Sequence, residues 1–221
     1  MSDLSGLFDE LEGELDDVLV EGQQSSTPHS ANNGSSASEF FGPYELVEKV
    51  GEGGVARVYR ARHVNPAYAQ QVFALKLLHD ELSRNPQVIE FFRAEAYLLS
   101  LLRHPNIIRT FEAGSIDSHL YIAMEYIEGR NVEQLLQRCQ RLQIKLPRQL
   151  KLHIVTEIVH SLMYAHSLKD TDGNSLGLIH RDVNPANIFL GFDGRVMLGD
   201  FGVAMISAGG KEDDEEMVGK V

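Results

Sequence analysis

The sequence predicts an α+β fold, with a β-rich first half that contains one long helix and a mainly helical second half. Three observations carry this. Apolar alternation broken by glycines runs from Tyr44 to Lys76, the pattern of paired strands. Residues 88–102 then place Ile89, Phe92, Ala96, Leu99 and Leu102 on one helical face, behind the start signal Asn85-Pro86. Residues 131–142 and 148–167 read as two further helices, the second with Leu152, Val155, Ile158, Val159, Leu162, Met163 and His166 as its core face.

Composition bounds the function. A chain of 221 residues, 43% apolar, suits one ordinary domain or two lobes around a real core. The single cysteine, Cys139, excludes a disulfide framework and reads as a small packing group. No run approaches the roughly 18 apolar residues of a membrane span, and the N-terminus is acidic where a signal peptide is basic, so the expected compartment is the cytoplasm. The net charge of −12 is concentrated in two stretches, with eight acidic and no basic side chains in 1–22 and five acids in 212–216. The body between them is nearly neutral, which argues against broad nucleic-acid binding.

Three segments follow in order. Residues 1–22 place Leu4, Phe8, Leu11, Leu15 and Val18 in a heptad-like stripe among acids, a segment that either folds as a docking helix on a partner or remains an acidic tail. Residues 23–39 are Ser/Asn-rich and read as a flexible linker. The globular region is 40–221, with a first lobe over about 43–127 and the second over 128–221. Within it, the glycines at 51, 53 and 54 follow a strand and precede another, where bare backbone can approach phosphate oxygens or simply form a hairpin. Leu120–Met124 is an apolar strand, Asp170–Asn174 a polar turn, and Ile188–Leu190 with Val196–Leu198 a hairpin about Asp193-Gly194.

The chemistry centres on His180-Arg181-Asp182-Val183-Asn184-Pro185-Ala186-Asn187, read with Asp200-Phe201-Gly202. An aspartate, an asparagine five residues on and a second aspartate at position 200 could bring three oxygen-bearing side chains into one cleft. Magnesium and the phosphates it bridges require such oxygen ligands. These motifs resemble the catalytic and metal-binding loops of the protein kinase family. The resemblance covers residues 43–205 and implies a bilobal kinase fold using ATP and Mg²⁺, with a protein serine or threonine hydroxyl as acceptor.

Under this resemblance each motif acquires a role. Val50, Gly51, Glu52, Gly53, Gly54, Val55 and Ala56 form the glycine-rich loop over the phosphates, with Ala56 standing where the family has its third glycine. Lys76 grips the phosphates and pairs with Glu95, nineteen residues on. Met124 is the gatekeeper, the Glu125 carbonyl and Ile127 amide meet the adenine edge, and Val58, Ala74 and Phe189 sandwich the ring. Asp182 takes the proton of the acceptor hydroxyl, while Asn187 and Asp200 hold the metal. His180 and Phe201 are structural, stacking beneath Leu99; the histidines show no zinc-site spacing.

Two departures qualify the expectation. Asn184 occupies the position where serine/threonine kinases carry a lysine that touches the γ-phosphate, so a charge is lost beside the transferring group. Pro185-x-Asn187 nonetheless resembles the serine/threonine arrangement rather than the tyrosine one. Second, the sequence given ends at Val221, within the family's activation segment, so the apolar underside of 148–167 is expected to be uncovered. The acids 212–216 read either as a solvated acidic loop or as an anionic partner for Arg181. The rival expectation is a catalytically weak, nucleotide-binding or scaffolding module of the same fold.

Overall fold

The computed structural model describes residues 39–201. The expectations for the segment 1–22, most of the linker 23–39, Gly202 and the acids 212–216 fall outside the described residues.

The first half is a six-stranded antiparallel sheet of β1 (Glu39–Phe41), β2 (Tyr44–Glu52), β3 (Ala56–His63), β4 (Val72–Leu78), β5 (Thr110–Ile116) and β6 (His119–Glu125), in spatial order β1-β2-β3-β4-β6-β5. Period-two alternation sorts its side chains between two cores. Phe73 and Leu75 of β4 join Tyr44, Ala61, Tyr121 and Ala123 on one face. Leu78, Leu120, Ile122 and Met124 face the other way, toward a larger core shared with the helices. Lys76 falls on that second face by parity, directly opposite Ile122 and Val58 in the ladder.

Helix α1 (Pro86–Leu101) crosses this second face. It starts where the Asn85-Pro86 signal places it, because the Asn85 side chain accepts from the amides of Gln87 (3.1 Å) and Val88 (3.4 Å) while proline needs no partner at the first turn. Phe92, Glu95, Ala96, Leu98 and Leu99 are buried. Glu95 is thus a charge on the buried face, and its partner decides the helix position.

The second half holds β7 (Gly129–Asn131), α2 (Val132–Leu142), α3 (Arg148–Ser167) and the hairpin of β8 (Ile188–Gly191) and β9 (Val196–Leu198), with sheet order β7-β8-β9. A capping box, Asn131 with Gln134, starts α2. The segment after α1 is stitched to β9. Asn106 Nδ2 donates to the Val196 carbonyl, the Leu198 amide to Asn106, and the Ile108 amide to Leu198. No helix among the described residues is long and apolar enough to cross a membrane.

The expected core face of α3 needs correction. The buried residues are Leu150, Ile154, Ile158, Ser161 and Ala165. Leu152, Val155, Val159 and Met163 are instead 56%, 59%, 46% and 64% exposed, and His166 is exposed. The helix carries two apolar stripes, and spacing alone does not say which is covered. Small Ser161 and Ala165 allow close packing on the buried side, with Ser161 Oγ satisfied by the Ile158 carbonyl at 2.8 Å. The outward stripe is an exposed apolar face among the described residues.

At Gly129, where β7 meets β8, an added Cβ would overlap the carbonyl of Leu190. Backbone cannot yield as a flexible side chain can. Gly129→Ala should therefore cost about 3 kcal/mol, lowering Tm by roughly 6–12 °C. Gly54→Ala, with nothing within 4 Å of the added carbon, should move Tm by no more than about 2 °C. Thermal unfolding of both variants checks the contrast.

Candidate active site

Strand β4 and helix α1 build the first part of the site. Lys76 Nζ lies 2.7 Å from Glu95 Oε1 and 3.4 Å from Asp200 Oδ1. Burial of Lys76 disfavours its charge, but the carboxylates of Glu95 and Asp200 outweigh this and hold its pKa above the ordinary lysine value. The ammonium therefore stays charged. Only Asp200, about half exposed, opens the cluster to solvent.

The loop before β8 builds the second part. Asn187 Nδ2 donates to the Asp182 carbonyl (3.0 Å) and to Asp182 Oδ2 (2.9 Å). Asn184 Nδ2 donates to Asp182 Oδ1 at 2.8 Å. Each Asp182 oxygen is thereby fixed by a neutral amide. Asn184 Oδ1 in turn accepts from the amides of Ala186 (2.8 Å) and Asn187 (3.2 Å), capping the short 3₁₀ turn Pro185–Asn187. The sequence marks Asn184 only as a lost cation; in the fold it is an orienting clamp.

His180 joins the two parts. It is 1% exposed, its ring centroid is 4.3 Å from that of Phe201, and its Nε2 lies 3.0 Å from the Gly199 carbonyl. That carbonyl only accepts, so Nε2 carries the proton, and Nδ1 accepts from the Asp182 amide at 3.3 Å. Phe201 shares its core with Leu99, as expected for a stack joining α1 to the loop. Arg181 and Asp200 both adopt left-handed backbone, at φ 62° and 45°. The Arg181 turn is closed by the Asp182 amide on the His180 carbonyl at 2.8 Å. The Gly199 amide donates to the Asn187 carbonyl at 2.9 Å, tying the two clusters through backbone.

The remaining expected residues are positioned by register. Val58, Ala74, Lys76 and Met124 lie on one sheet face, since Val58 is opposite Lys76 and Ala74 opposite Met124. Ile127 is buried, and the Glu125 carboxylate accepts from Arg195 Nη1 at 2.7 Å. Phe189 comes from β8; a Cβ at Gly199 would approach its ring to 3.1 Å and the tip of Ile108 to 2.8 Å, so glycine before Asp200 lets both side chains pack close. Val50 and Val55 flank the glycine-rich turn and are exposed. Within that turn a Cβ at Gly54 would meet nothing, and one at Gly53 only the Ala56 carbonyl at 3.9 Å. Protein packing does not demand these glycines, and they keep an open backbone face.

The donor set fits a magnesium–phosphate ligand. Asp200 offers carboxylate oxygens, and Asn187, with its nitrogen committed to Asp182, offers its carbonyl oxygen. Among the described residues no group of three or more His, Cys, Asp or Glu could hold a metal by protein ligands alone. Magnesium usually takes one or two carboxylates and completes its shell with waters and phosphate oxygens. Sequence reasoning missed Arg195, His79 and Asn106, whose partners lie 70, 26 and 90 residues away, beyond the reach of any local pattern.

Burial holds the pKa of His180 below the ordinary 6.5. The folded state keeps it neutral while the unfolded chain binds the proton, so stability is fullest above about pH 6.5 and falls as pH drops through the folded value. His104, also depressed by burial, adds to the same trend. Tm should therefore fall from pH 7.5 to 5.5, and His180→Phe should flatten that fall by up to about 1 kcal/mol per pH unit. An unchanged pH slope in the variant would refute the assignment.

Comparison with known proteins agrees with this geometry. The family model described as "Protein kinase domain" matches residues 44–220. A tyrosine-protein kinase of Myxococcus xanthus, MasK, is 34% identical over 164 residues, covering 74% of this chain and 25% of that protein. The serine/threonine-protein kinase PknJ of Mycobacterium tuberculosis is 35% identical over 173 residues, covering 76% and 27%. The crystal structure of a cysteine-to-alanine mutant of the M. tuberculosis PknI kinase domain superposes with a TM-score of 0.60 at 32% identity, covering 78% of this chain and 64% of that one. The chain thus spans about a quarter of the length of these curated relatives and under two thirds of the PknI domain. By fold, motif geometry and sequence, the chain belongs to the protein kinase family.

Proposed function

We propose that the chain transfers the γ-phosphoryl group of ATP to a serine or threonine hydroxyl of a protein, and does so in the cytoplasm, where ATP is available. The observation that carries this reading is the pairing of Lys76 with both Glu95 and Asp200, beside an Asp182 whose oxygens are held by Asn184 and Asn187.

In this reading the glycine-rich turn lays backbone against the phosphates, and Lys76, oriented by Glu95, fixes the α- and β-phosphates. Val58, Ala74, Met124 and Phe189 bound the adenine slot, with the Glu125 carbonyl and Ile127 amide at its edge. Asn187 and Asp200 would hold magnesium, which when bound supplies positive charge against the phosphate oxygens. Asp182 accepts a hydrogen bond from the acceptor hydroxyl and takes its proton as the oxygen bonds to phosphorus. Asn184 orients Asp182 but adds no charge, which implies slower transfer than a lysine there would give.

Serine/threonine preference rests on Pro185-x-Asn187 and on relatives such as PknJ; MasK bears a tyrosine-kinase name. Asn184 favours a second reading, a nucleotide-binding scaffold with little transfer.

Transfer of labelled phosphate from ATP to a peptide library offering all three hydroxyls, followed by phosphoamino-acid analysis, separates these readings. Phosphoserine and phosphothreonine are expected, with kcat falling about 10²–10⁴-fold in Asp182→Asn. Phosphotyrosine alone would refute the acceptor preference. Nucleotide binding without any transfer would favour the scaffold.

A further inference from the structure

The hydrogen bonds that reach the glycine-rich turn from β4 come from a residue outside the motifs described so far. His79 follows Leu78 at the end of β4, three positions after Lys76. Its backbone amide donates to the Val55 carbonyl at 3.0 Å, and its ring Nε2 lies 2.8 Å from the Gly53 carbonyl.

The partners determine the ring's protonation. The Gly53 carbonyl only accepts, so Nε2 carries a proton. Arg57 Nε only donates and sits 3.1 Å from Nδ1, so Nδ1 is the acceptor. Both nitrogens of a neutral imidazole are therefore used, one on each limb of the β2–β3 turn. Arg57 is braced further by Asp80 at 3.9 Å, and Asp80 meets His119 Nε2 at 3.3 Å on the β5–β6 hairpin.

The backbone of His79 faces the other way. Its carbonyl accepts from the Leu82 amide (2.9 Å), the Ser83 amide (3.1 Å) and Ser83 Oγ (3.2 Å). The Asn85 amide then donates to Leu82, and Asn85 caps α1, the helix that carries Glu95. One residue thus holds the glycine-rich turn with its side chain and the entry to α1 with its carbonyl.

The consequence lies in the peptide between Gly53 and Gly54. With glycine on both sides, nothing within 4 Å of a Cβ at Gly54 and only the Ala56 carbonyl at 3.9 Å from one at Gly53, side-chain packing does little to stop this peptide plane rotating. A trans peptide points its C=O and its N–H in opposite directions. Anchoring the Gly53 carbonyl to His79 therefore aims the Gly54 N–H away from His79. A flipped peptide would present a carbonyl dipole where a phosphate oxygen needs a donor.

We propose that His79 is a positioning residue for the nucleotide phosphates, pinning the Gly53–Gly54 peptide in the donor orientation and coupling the glycine-rich turn to the segment that leads into α1. This rests on the nucleotide-site reading above.

The test compares His79→Leu, which removes donor and acceptor, with His79→Gln, whose amide restores both. Equilibrium binding of ATP with magnesium, and of adenosine, is measured on the 221-residue chain with amide exchange at residues 53–56. His79→Leu should weaken ATP about three- to tenfold, the loss of one hydrogen bond. It should also speed exchange at those amides and leave adenosine affinity and Tm nearly unchanged; His79→Gln should bind ATP like the unaltered chain. If His79→Leu does not fold, His79→Ala, which also removes the Nε2 donor to the Gly53 carbonyl, should show the same loss for ATP over adenosine. Equal losses for ATP and adenosine, or no loss for either, would overturn the assignment of His79 alone. An unaltered chain that binds neither ligand would sink the nucleotide reading and this inference with it.

Discussion

The rest of the structure depends on one buried cation. Lys76 lies on the core-facing side of β4 with its side chain 16% exposed, and an ammonium so placed is unfavourable unless carboxylates reach it. Glu95 and Asp200 do so from 19 and 124 residues away. Satisfying this charge fixes α1 against the sheet and draws the segment after β9 up to the same point. The Glu95 contact is the stronger restraint, since both partners are nearly dry. The Asp200 contact is longer and half exposed, hence screened. The cluster holds one positive and two negative groups. Its excess negative charge sits at the exposed end, on the carboxylate we assign to the metal.

The loop at 180–187 solves a different problem, that of holding a carboxylate in a set direction without neutralising it. Asn184 and Asn187 donate to separate oxygens of Asp182, and the buried His180 accepts from its amide. Amide donors restrict rotation without adding charge, whereas a lysine at position 184 would pull the carboxylate toward itself. Asn184 also caps the turn that carries Asn187, so losing it would disturb both residues. This residue shapes the loop as well as marking an absent charge.

Much of the architecture was legible in the sequence because it is local or motif-borne. Asn85-Pro86 sets a helix start through side-chain capping, and the alternation Val72–Lys76 marks the strand that carries Lys76. The pairing of Lys76 with Glu95 followed from the resemblance to the kinase family. What the sequence did not reveal depends on tertiary choices. Helix α3 has two apolar stripes, and only the position of β9 and its neighbours selects Leu150, Ile154 and Ile158 over Leu152, Val155 and Val159. The role of His79 depends on a carbonyl 26 residues away, and that of Arg195 on a carboxylate 70 residues away.

The central claim is that Lys76, Asn187 and Asp200 form a magnesium-dependent nucleotide site. Calorimetric titration of ATP into the chain, with magnesium and with EDTA, addresses it directly, repeated on Asp200→Ala. We predict saturable binding that weakens sharply in EDTA, and a variant whose residual affinity is the same in both conditions. Binding that ignores magnesium in the unaltered chain, or that keeps its magnesium dependence after Asp200 is removed, would contradict the assignment.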